Sequence, residues 1–194
     1  MNPLNALGVI LGTGYSSGLN LYATVVTLGL LQRFGLIHLP PALQVVSHTW
    51  ILAIAAALYF LEFFADKIPY IDTAWDAVHT FIRPPAAALL AYASVGGVSA
   101  EWRWGAALLA GGIALTSHSA KASTRAAVNT SPEPFSNWML SFGEDLLAVW
   151  LTWMASAHPL ATTMVVGALL ILSAFLIFHL FRFARRAFEH LSGA

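Results

Sequence analysis

The chain has 194 residues, 58% of them hydrophobic and 9% charged, with a formal net charge of +0 and a mean hydropathy of +0.72. A soluble domain carries about 25% charged residues, so this composition excludes a water-covered globule and predicts a single membrane-embedded domain over residues 1–194. Balanced charge excludes a nucleic-acid partner held by bulk electrostatics. The absence of cysteine excludes disulfides, iron–sulfur clusters and thiol catalysis.

At about 20 residues per crossing, the apolar runs predict an all-α, polytopic fold of roughly six transmembrane helices with broken or re-entrant segments. The first run, about Leu4 to Leu31, is too long and too polar in its middle for one plain span. Gly8 and Gly12, then Gly14 and Gly18, stand at GxxxG spacing. Small residues four apart let helices approach closely in lipid, and glycine also lets a helix break. A broken helix is expected there, with Ser16, Ser17, Asn20, Tyr22 and Thr24 as uncharged polar groups. The same glycine faces predict a homo-oligomer, a dimer first.

The second run, about Val45 to Phe64, leads into Glu62 and Asp66, which share a helical face at i, i+4. Two carboxylates so placed repel unless a proton, a cation or a basic partner lies between them; Lys67 and Arg83 are the nearest basic candidates. Downstream, Asp72, Asp76, His79 and Arg83 recur at steps of four, three and four, one stripe of a helix, beside Trp75, Val78 and Ile82. Two readings stay open: an interfacial amphipathic helix capped by Asp72 or Thr73, or a helix folded toward the membrane with its stripe lining a polar cavity.

The third and fourth runs cover Pro85 to Val95 and Trp104 to Ser117. A polar connection from His118 to Asn137 follows, in which His118, Lys121 and Arg125 fall on one face. SPEPFSN breaks the chain after Asn129, with Ser131 or Ser136 capping a new helix whose free N–H groups attract anions. The passage reads either as an anion cradle or as a loop that meets lipid headgroups. The fifth run, Trp138 to Ser156, holds Glu144 and Asp145, each costing about 2.5–3.5 kcal/mol at a helix centre in lipid. Such groups are functional candidates by default, with Lys67, Arg83, Lys121 and Arg125 as partners; a structural salt-bridge knot is the alternative. The sixth run, Leu160 to Phe181, ends in FRFARRAF.

Basic residues concentrate on cytoplasmic loops. Both termini inside puts Lys67, Arg83, Lys121, Arg125, Arg182, Arg185 and Arg186 on the inner side, against Arg33 and Arg103 outside; a hairpin in the first run would move the N-terminus to the other side without disturbing the rest. The two polar connections resemble one another, and a repeat of either inverted or parallel symmetry is open. HExxH, G-x-S-x-G and Walker patterns are absent, so no enzyme and no cofactor is expected.

The stretches GLNLYATV (Gly18 to Val25), LEFFADKIPYIDTAWDAVHTFIRP (Leu61 to Pro84), HSAKASTRAAVNTSPEPFSN (His118 to Asn137) and the Glu144–Asp145 pair together resemble a bacterial family of integral membrane proteins catalogued only as a domain of unknown function. The resemblance implies a compact helical protein of the bacterial inner membrane among lipids, and brings no activity with it.

The residues themselves point to a small secondary transporter or translocase. Lys67, Arg83, Lys121, Arg125 and His118, with Asn20 and Asn129, are expected to hold a small anionic substrate bearing phosphate or carboxylate. Glu62, Asp66, Asp72, Asp76, Glu144 and Asp145 are expected to couple it to protons or Na⁺. The other classes weighed are a channel or cation site with His79 and His118 as metal ligands, a scaffold, and a lipid-headgroup enzyme using Ser117, Ser119 or His118.

Overall fold

The computed structural model describes residues 3–130 and 135–191. Among them the chain is all-helical: α1 (Pro3–Leu19), α2 (Leu21–Arg33), a 3-10 helix (Pro41–Ser47), α3 (Thr49–Ala65), α4 (Ile71–His79), α5 (Arg83–Ser94), α6 (Ala100–Val128), α7 (Phe135–Ala157) and α8 (Pro159–Leu191).

The first apolar run is broken, as its polar middle predicts, but at Asn20 and not at a glycine. Asn20 is extended (φ −149°, ψ 103°) and its Oδ1 accepts from the backbone N–H of Ala23, capping α2. The glycines stay helical because they are needed for packing. A Cβ on Gly8 would strike the Pro159 carbonyl, one on Gly12 would lie 2.6 Å from the Ala155 Cβ, and one on Gly18 would strike the Ala114 carbonyl and the Ser117 hydroxyl. The close approach predicted for an oligomer is therefore used inside the chain, where α1 packs against α5, α6, α7 and α8.

The break reverses the chain. Ile10 of α1 shares a core cluster with Ala91 and Val95, and Leu28 of α2 one with Leu90 and Ala93, so both reach the same level at the end of α5. So α1 and α2 form a V whose tip is Asn20. Gly8 sits on Pro159 and Tyr15 hydrogen-bonds Ser173 at 2.8 Å, which makes α1 and α8 parallel. Hence the described start of α1 lies at the opposite end of the bundle from the end of α8. This corrects the expectation that both termini share one side, in favour of the hairpin that the first run also allowed: the extended Asn20 turns the run back on itself.

The bundle thus has two ends. The starts of α1, α6 and α8 and the ends of α2, α5 and α7 gather at one; the turn at Asn20, the end of α3, α4, the start of α5 and the start of α7 gather at the other. α3 and α6 both run toward this second end, and α5 and α7 both run back.

By length and apolarity, one described helix suffices to cross a bilayer, α8 over Pro159–Phe183; the 3-10 helix and α3, bent by 61°, also pass when counted as one span. Among the described residues, the roughly six transmembrane helices with broken or re-entrant segments expected from the apolar runs are marked out only at α8 and at this bent pair: α3 by itself has 17 residues and α5 has 12, while α1 and α2 are the two halves of one run. Burial is inverted relative to a water-soluble protein. Arg83, Arg125, His118, Glu62, Asn20 and Asn137 are among the largest fully buried side chains, whereas Trp50, Phe81, Trp102, Leu108, Met164 and Ile171 lie exposed.

The polar passage after Ser117 is no loop. α6 continues unbroken for 29 residues to Val128, because its polar stripe faces the interior. Asn129 ends the helix; Ser131 lies outside the described residues, and Ser136 falls within α7 instead of capping it. α4 is preceded by Tyr70 at φ 71°, with no side-chain cap, so neither Asp72 nor Thr73 serves as its N-cap. Asp72, Asp76 and His79 are buried, while Val78 and Phe81 are exposed, so the stripe faces the protein interior.

Candidate functional site

α6 supplies the centre. His118, Lys121 and Arg125 recur at steps of three and four on one face, all buried. Glu62 and Asp66, one turn apart at the end of α3, meet them. The Arg83 guanidinium, at the start of α5, donates from Nη2 to Glu62 Oε1 at 2.7 Å and from Nη1 to the Gly18 carbonyl at 2.9 Å and to His118 Nδ1 at 2.7 Å. Asp76 Oδ1 lies 3.5 Å from the same guanidinium. Because Arg83 can only donate, His118 Nδ1 is the acceptor, and its Nε2–H donates to the Asp76 carbonyl at 3.0 Å. His118 is therefore a neutral spacer between α4 and α5.

Lys121 Nζ lies 3.0 Å from Asp66 Oδ2, 3.3 Å from Glu62 Oε1 and 3.7 Å from Glu144 Oε2, and donates to the Leu19 carbonyl at 3.0 Å. Arg125 Nη2 forks onto Asp66 Oδ2 at 3.0 Å and Glu144 Oε2 at 2.6 Å, with Nη1 on the Asp66 carbonyl at 2.7 Å and 3.8 Å from Asp72 Oδ2. Asn129 Nδ2 holds both Asp72 oxygens, at 2.8 and 2.9 Å.

The break at Asn20 explains two of these contacts. A helix C-terminus leaves carbonyls without intrahelical partners and carries the negative end of the macrodipole; the Gly18 and Leu19 carbonyls accept from Arg83 and Lys121. Asn20 Nδ2 donates to Asp145 Oδ1 at 2.8 Å. Glu144 and Asp145, about 100° apart around α7, thus take separate partners.

The predicted set is largely brought together. Glu62, Asp66, Asp72, Asp76, Arg83, His118, Lys121, Arg125, Glu144 and Asn129 form one connected cluster, and the hydrogen-bonded pair of Asn20 and Asp145 lies beside it. Lys67 stands at its edge, on Ser141 Oγ at 3.3 Å and over the Phe63 ring at 3.1 Å. His79 stands at the other edge, with its ring stacked on Trp75 and Nε2 accepting from the Tyr22 hydroxyl at 2.9 Å. Burial holds its pKa below the ordinary histidine value. Among the described residues no three of His, Asp and Glu are disposed to hold a metal ion. The sequence reading overlooked Asn137, whose Oδ1 accepts from Arg125 at 3.2 Å, and Ser141. Their signal was available: Asn137, Ser141 and Asp145 recur at steps of four.

Charge does not balance inside. Five buried carboxylates and the part-buried Glu144 face Arg83, Lys121 and Arg125, with Lys67 at the margin. Glu62 Oε2, Asp66 Oδ1, both Asp76 side-chain oxygens and Asp145 Oδ2 are buried without a hydrogen-bond partner. Buried polar groups are normally satisfied, so these five oxygens mark where a proton or a cation can be held.

Fold and site together define an all-helical protein built around a buried, carboxylate-rich ion-pair network. The model of the family described as Domain of unknown function (DUF4126) matches residues 7–179; the chain belongs to that family. No curated protein and no solved structure matches it.

Proposed function

We propose that the chain is a multi-pass membrane protein of the bacterial inner membrane, acting as a small secondary transporter or translocase whose buried carboxylates couple substrate movement to protons or Na⁺. The observation that carries this reading is the excess of buried carboxylates over cations, with five oxygens unpartnered. Apolar side chains on the outside and charges within fit a lipid surround. The end holding Lys67, Arg83, Lys121 and Arg125 is then cytoplasmic by the positive-inside rule.

Arg83, Lys121 and Arg125 already face carboxylates, which defines how an anion enters. A proton added to Glu62, Asp66 or Glu144 neutralises that group and frees the neighbouring cation. A phosphate- or carboxylate-bearing substrate then replaces the lost negative charge. Proton and anion arrive together and the net charge of the low-dielectric interior is unchanged, which avoids the cost of an uncompensated buried charge. Asn20 and Asn129 supply neutral hydrogen bonds as the network opens.

Purified protein in liposomes should take up small phosphate- or carboxylate-bearing anions when an inward proton or Na⁺ gradient is imposed, and Glu144→Gln should uncouple the two. Protein that moves no anion under either gradient ends this reading. The pairing of every central cation also favours a scaffold; in that case a double variant exchanging Glu144 and Arg125 retains the wild-type phenotype. A cation channel, the remaining alternative, passes H⁺ or Na⁺ with no substrate present.

A further inference from the structure

The bundle end opposite the charges holds an apolar cavity of about 1420 Å³. Thr13 of α1 and Ser156 of α7 line it. From there two polar stripes run inward. On α1 the stripe is Thr13 and Ser16, continued by Asn20 at the break and Thr24 on the first turn of α2; on the antiparallel α7 it is Ser156, Thr152, Asp145, Ser141 and Asn137. Thr13, Ser16, Asn20, Thr24, Thr152, Ser141 and Asn137 are at most 2% exposed.

The stripes meet in rungs. Thr152 Oγ1 donates to Ser16 Oγ at 3.0 Å, and one turn deeper Asn20 Nδ2 donates to Asp145 Oδ1 at 2.8 Å. Beyond Asp145, Ser141 meets Lys67 and Asn137 meets Arg125, at the edge of the ion-pair network. Between the rungs α7 presents the small side chain of Ala148, fully buried in the core that Tyr15 and Leu19 of α1 share. Ser16 and Asn20 are separated by about 6 Å of helix rise, a span one bridging water covers. The other faces of α1 are closed: Gly14 and Gly18 lie on α6 backbone, Gly8 on the Pro159 backbone and Gly12 on Ala155 and Thr162.

Asp145 is the singular member of this seam. Among the described residues it is the one carboxylate of the six with no cation within 4.0 Å, and its Oδ2 is buried with no partner. Lys67, Lys121, Glu62 and Asp66 lie within electrostatic reach, as does the Tyr59 hydroxyl.

We infer that the α1–α7 seam is the path by which protons pass between the apolar cavity and the carboxylate network, with Asp145 the first group to hold them. Each hydroxyl accepts a proton on one side and releases its own on the other, so relay leaves the seam chemically unchanged. The hydroxyls of Ser16 and Thr152 carry the step to Asp145, and Asp145 passes the proton toward Glu62 and Asp66. The inference rests on the transport reading and assigns its route.

The test uses full-length protein in liposomes with a pH-sensitive dye inside, an inward proton gradient and inorganic phosphate outside. Thr152→Val keeps the side-chain shape without the hydroxyl and should slow acidification roughly tenfold, the worth of one buried hydrogen bond. Thr152→Ser should restore the rate, Asp145→Asn should abolish it, and Thr163→Val, the same change on α8, should leave it unaltered. If Thr152→Val runs at the wild-type rate while Asp145→Asn is dead, the seam is overturned and transport stands. If the wild type moves no protons, the seam falls, and the transport reading falls with it only when no anion enters under a Na⁺ gradient either.

Discussion

Arg83 shows how much one side chain carries. It closes on Glu62, His118 and the Gly18 carbonyl, each on a different helix. Removing one partner of a buried pair leaves the other charged and unpaired, at a cost of about 3–5 kcal/mol. Arg83→Met should therefore lower the unfolding midpoint in detergent sharply, and adding Glu62→Leu should recover part of the loss. Lysine cannot rescue fully, since a point charge does not reproduce the forked geometry. His79 gives a pH dependence. Its folded-state pKa is held below the ordinary 6.5 by burial, so the unfolded chain binds more protons as pH falls. By linkage, stability drops as pH falls below about 6.5. His79→Gln should flatten that slope in thermal unfolding measured between neutral and mildly acidic pH.

Among the elements, α1 is the organiser. Its Gly8, Gly12, Gly14 and Gly18 let three helices approach its backbone, and its early end at Leu19 exposes carbonyls to Lys121 and Arg83. Gly18→Ala forces a methyl against the Ala114 carbonyl and Ser117; overpacking of this kind costs about 1–3 kcal/mol and here also pushes on α6 above Lys121. Gly112→Ala is the control. Nothing lies within 4 Å of a Cβ there, so the helix should gain up to about 1 kcal/mol. Melting both variants side by side should give shifts of opposite sign. α6 makes the complementary point: its Ser-, Ala- and Lys-rich half reads as a loop by hydropathy, yet it is the helix that fills the charged interior.

On the scale of the molecule, the V of α1 and α2 sets the orientation of everything after it. Single cysteines, introduced into a chain that has none, provide the check. Leu4→Cys and Leu36→Cys should react with an impermeant thiol reagent from one face of the membrane, and Thr130→Cys from the other. Reaction of Leu4→Cys and Thr130→Cys from the same face would contradict the V. The sequence by itself determined that the chain is helical, that its first run breaks and that acidic and basic stripes repeat at helical steps. It did so because periodicity and small-residue spacing are local properties. Only the tertiary structure decided that those stripes face a common interior, that the four α1 glycines serve packing within one chain, and that carboxylates outnumber cations where they meet. These depend on which helices adjoin and in which direction they run, and the extended Asn20, in the polar middle of the first run, sets that direction through contacts between residues far apart in the chain.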